Sequence, residues 1–163
     1  MRPENNFAFI DAQNLHCGIE ELGWNIDYRR FRMYLREQYH ITKAFIFIGY
    51  QQKNQALYTY LQAAGFILIF KQLHPNAPSK GNVDVDLTLN TVSLMNTYDH
   101  ALLITSDGDF ASLVQHLQTA GKLLGVMSPR HEKCSLLLRQ AAGATMRYLT
   151  PIRHKIERQE KGR

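Results

Sequence analysis

VDVDLTLNTVSLMNTY (83–98) can be read in two ways, and the choice fixes the topology around it. Its first half alternates apolar and polar residues, the pattern of a half-buried strand. Val85, Leu89, Val92 and Met95 also recur at helical spacing, with Val83, Leu87 and Leu94 beside them. The segment sits between two apolar runs, FILIFKQL (66–73) and HALLITS (100–106), each the length of a strand. Parallel strands in one sheet are joined by a right-handed crossover, and a helix makes that connection. The helix reading is therefore adopted.

The same alternation extends in both directions. FAFIDA (7–12), TKAFIFIGY (42–50), KLLGVMSP (122–129) and ATMRYLT (144–150) read as further strands. DYRRFRMYLREQYH (27–40) is a helix with Asp27 as N-cap, and NQALYTYLQAAG (54–65) is one stopped by Gly65. Further helices are expected over 109–120 and around 132–141, and HPNAPSKGN (74–82) is a loop. Strands alternating with helices make βαβ units, hence an α/β fold with a mostly parallel sheet covered on both faces.

The chain has 163 residues, enough for one domain over 1–150, followed by a basic tail at 151–163. That tail holds five basic residues against two acidic ones and reads as a solvated helix. The net charge is +5, which permits a polyanionic partner without demanding one. Two cysteines, Cys17 and Cys134, are too few for a disulfide framework, so a reduced, cytoplasmic protein is expected. The N-terminus lacks the basic flank and apolar run of a signal peptide, and no apolar stretch has the length of a membrane span.

In a parallel sheet, ligands bind at the carboxyl edge of the strands, and that edge collects acids. Asp11 ends the first strand. Asp107 and Asp109 follow HALLITS, and Asp84 and Asp86 open the crossover helix after the loop. Each alone reads as a helix cap. Together, acids from three separate segments repel unless a counter-charge arrives. Oxygen ligands favour a hard divalent ion, Mg²⁺ or Mn²⁺, and the seven histidines show no spacing for zinc. Asp84 and Asp86 diverge by about 200° on a helix, so only one can face a given site. Asn14 could back Asp11. Lys80, Thr105 and Ser106 could meet a phosphate, and Tyr50, Tyr58 and Tyr60 could stack bases. Such a site suits phosphodiester hydrolysis.

FIDAQNL, KGNVDVDLTL and ITSDGDFASLVQHLQTAGKLLGVMSP resemble, in that order, the three signature blocks of the NYN domain in its LabA-like branch, within the PIN-like nucleases. The resemblance spans about residues 7 to 150. It implies a PIN-like, Rossmannoid three-layer α/β/α sandwich and a ribonuclease, an endoribonuclease by expectation, dependent on Mg²⁺ or Mn²⁺. Asp11, Asp84, Asp107 and Asp109 fall on the family's acids, Asn14 on its first polar position and Lys80 on the lysine of the central block. Asn90 stands where the family often has another acid, and Asp86 is the nearest substitute. Thr105-Ser106 replaces a common Ser-Gly. The competing reading is a non-catalytic RNA-binding or regulatory module of the same fold. A phosphatase of the HAD type needs Asp-x-Asp after the first strand, where this chain has Asp11-x-x-Asn14. An apolar helix face would suit a homodimer.

Overall fold

A computed structural model describes residues 2–71 and 83–159. The expected loop at 74–82 lies outside them. The elements are β1 (Asn6–Asp11), α1 (Ala12–Glu21), α2 (Tyr28–Tyr39), β2 (Ile41–Gly49), α3 (Gln55–Ala63), β3 (Phe66–Lys71), α4 (Asp84–Ser93), β4 (Ala101–Ile104), α5 (Ala111–Thr119), β5 (Leu123–Ser128), α6 (Leu136–Ala142), β6 (Met146–Tyr148) and α7 (Arg153–Ile156). The strands form one sheet in the order β3-β2-β1-β4-β5-β6, and every pairing is parallel. From β1 the chain steps outward through β2 and β3, then returns along α4 to place β4 on the other side of β1. The order reverses between β1 and β4, which opens a crevice above their carboxyl ends.

Two apolar layers sandwich the sheet. On one face Phe7, Phe9, Phe45, Phe47 and Leu103 pack against α4, α5 and α6. Phe9 and Phe45 stack with centroids 5.4 Å apart, and Tyr98 closes on Phe9 edge-on at 5.7 Å. On the other face Ile10, Ile46, Leu102 and Ile104 pack against Leu15 and Ile19 of α1, Phe31 and Leu35 of α2, Leu61 of α3 and Ile156 of α7. Strands buried on both faces are continuously apolar, which is why they were readable in the sequence.

Three local features differ from the sequence reading. The segment LHCGIEE continues β1 into a helix, although only Leu15 and Ile19 mark its buried side. In α4 the buried residues are Leu87 and Thr91, while Val85, Leu89 and Val92 face outward. Of the two apolar stripes, the one next to the phenylalanine layer is used. The tail, expected to be solvated, docks instead. Ile156 is fully buried, and Ile26 bridges Glu157 in an antiparallel contact that Asp27 and Arg158 extend by backbone bonds.

Gly65 ends α3 with φ +104°, a conformation that glycine adopts without a Cβ penalty. Among the described residues, no helix is long and apolar enough to cross a membrane.

Candidate metal centre

The register of β1 on β4 builds this centre. Ile10 pairs with Ile104, so Asp11 and Thr105 each leave the sheet at the same height. Asp11 has extended backbone angles and caps α1, its Oδ1 accepting the Asn14 N–H at 3.3 Å. Asp107 similarly caps the 3-10 turn Gly108–Phe110, its Oδ1 accepting the Asp109 N–H at 2.9 Å. Capping uses one oxygen of each carboxylate. The cap and the ion site are thus compatible duties of the same side chain.

Asp84 arrives from the first turn of α4, on the face that carries Leu87 and Thr91 into the core. Asp11, Asp84 and Asp107 each offer a carboxylate oxygen, and the three oxygens lie within 4.8 Å of one another. Asp11 is only 5% exposed, and its carboxyl is pushed up to about 6. Burial is the main cause, and the nearby charges of Asp84 and Asp107 add to it, against lowering by bonds from Asn14 and Thr105. Among the described residues, neither Asp11 nor Asp107 forms an ion pair. A cluster of carboxylate oxygens with no nitrogen or sulfur donor, one of them held dry, fits a hard divalent cation.

The surrounding polar residues tie the three segments together. The Thr105 hydroxyl donates to Asp11 Oδ2 at 3.3 Å and accepts the Asp107 N–H at 3.2 Å. Being 1% exposed, Thr105 faces the acids and not the solvent. Asn14 Oδ1 accepts both the N–H and the hydroxyl of Ser106, each at 2.8 Å. Thr105 and Ser106, expected to meet a phosphate, together with Asn14 therefore brace the start of α1 against the loop after β4.

Asp109 is exposed and Asp86 is half-buried, and neither belongs to the group of three. The helical phase that separated Asp84 from Asp86 in the sequence holds in α4. The Asn90 amide donates to the Asp86 carbonyl at 2.8 Å, one turn back on its own helix. Lys80 lies outside the described residues. Tyr58 is buried in the core with its hydroxyl accepting the Gln51 N–H, and the Tyr60 hydroxyl accepts the Tyr28 N–H. The Tyr58 ring is thereby closed to a base, whereas Tyr60 is half-buried.

The sequence reading passed over the turn after β5. The 3-10 turn His131–Lys133 and the start of α6 come back to the acids. Ser135 N–H donates to the Ser106 carbonyl at 3.1 Å, and a Cβ on Gly108 would meet Ser135 Oγ at 2.4 Å. In the same turn Arg130 reaches Glu21 at the end of α1 at 3.6 Å, and the His131 ring contacts Arg139 at 3.1 Å. The rule that polar residues follow a strand at this edge would have found Ser135 had it been applied after β5 as well as after β1 and β4.

The sequence profile of the NYN domain matches residues 7–148. The chain belongs to the NYN domain family. A curated relative, the "Low amplitude and bright protein LabA" of Synechococcus elongatus, is 25% identical over 98% of this chain and 91% of its own length. A solved structure, a protein of unknown function named VPA0982 from Vibrio parahaemolyticus, matches with a TM-score of 0.76. It covers 91% of this chain and 95% of its own at 23% identity, a likeness of fold. The NYN match begins at the second residue of β1 and ends with β6, so it takes in all three acidic segments.

Proposed function

We propose that this NYN domain is a metal-dependent ribonuclease that hydrolyses RNA phosphodiester bonds in the crevice between β1 and β4. One observation carries the reading: three carboxylates from segments far apart in the chain bring oxygens within 4.8 Å of one another, one of them buried. Asp11, Asp84 and Asp107 would hold Mg²⁺ or Mn²⁺. Such an ion, when bound, makes a coordinated water more acidic and offsets charge on the phosphoryl oxygens. Thr105 and Asn14 keep Asp11 and Asp107 in place, so that the carboxylates need not reorganise during the reaction. Asp109, on the solvent side, is available to a second ion. Lys80, the lysine of the central block, would bear on the RNA phosphates.

The test is cleavage of a labelled RNA with and without Mn²⁺. Asp107→Asn should abolish the Mn²⁺-stimulated component while the protein melts as a folded domain. Full activity in that variant removes Asp107 from the centre. A second reading, an RNA-binding module without turnover, is favoured by Asn90, an amide where the family often has a further acid. RNA binding without Mn²⁺-stimulated cleavage in the unmodified protein would select it.

A further inference from the structure

A groove of about 690 Å³ lies on the other side of the sheet, between α1 and α3. It begins beside Ala12 and Val83, each one residue from a carboxylate of the trio. Its floor is apolar and includes Ile26, Ile46 and Ile48. One wall is the face of α1 that carries Gln13, His16 and Glu20, at spacings that align on a helix. The opposite wall holds Gln51, Asn54 and Leu57.

The chemistry of these walls selects the occupant. Glu20 pairs with His16 at 3.0 Å on one wall, and Arg158 also lines the groove, so charges of both signs stand around an otherwise apolar and amide-lined space. The amides of Gln13, Gln51 and Asn54 offer both donors and acceptors, as the edge of a nucleobase requires. The apolar floor suits the face of a ring. The volume lies within the range of pockets that hold small ligands of nucleoside size.

We propose that this groove seats the base of the nucleotide next to the scissile phosphate. The inference rests on the RNA reading of the acidic centre. A base stacked inside a duplex must give up its stacking and pairing, at a cost in free energy, to enter a groove between two helices, whereas an unstacked base enters without that cost.

Amide chemical shifts of the metal-free protein, titrated with the four ribonucleosides and separately with ribose 5-phosphate, test it. At least one nucleoside should perturb Gln13, His16, Gln51 and Asn54, and ribose 5-phosphate should not. Leu57→Trp narrows the groove from its half-open rim, where Leu57 is 39% exposed, and should erase those perturbations. The pair Gln13→Ala with Asn54→Ala serves the same end without added bulk. Either variant should weaken binding of a single-stranded oligonucleotide about tenfold, as for one lost base contact, and leave duplex binding unchanged. No perturbation at about 10 mM nucleoside, or perturbation only on the α6 side of the crevice, overturns the proposal. Nucleoside binding in the groove without any Mn²⁺-stimulated cleavage would refute the nuclease and keep the base site. Cleavage lost in Asp107→Asn but indifferent to both groove variants would do the reverse.

Discussion

Replacing Asp11 by asparagine should make the metal-free protein more stable while weakening its hold on a divalent ion. The Asp11 carboxyl sits at about 6 in the fold against an ordinary 3.8, mainly because it is buried. Its folded pKa is raised, so its contribution to stability is complete below about pH 4 and is lost as pH rises through about 6. A shift of about two units corresponds to about 3 kcal/mol at neutral pH. Asparagine keeps an oxygen to accept the Asn14 N–H and cap α1, and it carries no charge to desolvate. In EDTA at about pH 7.5 the variant should exceed the unmodified protein by up to about 3 kcal/mol, or about 6–12 °C in melting temperature for a chain of this size. Near pH 4 the two should converge. Because the other titrating groups are shared, the difference between the two melting curves isolates Asp11. Added Mn²⁺ should then raise the unmodified protein by mass action and the variant far less. A stability difference that is the same at both pH values, or a variant less stable in EDTA at neutral pH, refutes the account of a buried charge awaiting an ion.

Two further outcomes follow from contacts already described. Asn14→Ala leaves the Ser106 N–H and hydroxyl without their acceptor, which should cost about 1–3 kcal/mol and lower Mn²⁺ affinity. Thermal melts with a Mn²⁺ titration check this, and an unchanged affinity would show that the brace does not shape the centre. Ile156→Ala empties a fully buried site, so a urea titration should find a loss of about 2–4 kcal/mol. A loss within about 0.5 kcal/mol, the usual range for surface changes, would return the tail to solvent.

The strands were legible because a parallel sheet covered on both faces leaves apolar runs such as FAFI and ALLI with no polar interruption. Asp11, Asp84 and Asp107 were legible for a related reason. All strands in such a sheet end on one edge, so acids that follow or face those ends must converge. What escaped were features set by packing partners distant in the chain. Leu15 and Ile19 are too few to announce α1, which exists because β2 and the tail cover them. In α4, Leu87 won over Val85 and Leu89 through its fit to the phenylalanine layer, which no local pattern encodes. The burial of Ile156 depends on a backbone bridge to Ile26 across the whole length of the chain. Thr105 and Ser106 were placed at the centre by their position after β4, but that they would bond to Asp11 and Asn14 required the register of β1 on β4.

That register has a consequence during synthesis. β4 must pair with β1 across about 90 intervening residues before Asp107 comes near Asp11, and a pairing so distant forms late. A chain still emerging from the ribosome therefore carries Asp11 and Asp84 without the third carboxylate. The group of three carboxylates is complete only once the fourth strand has been translated and docked.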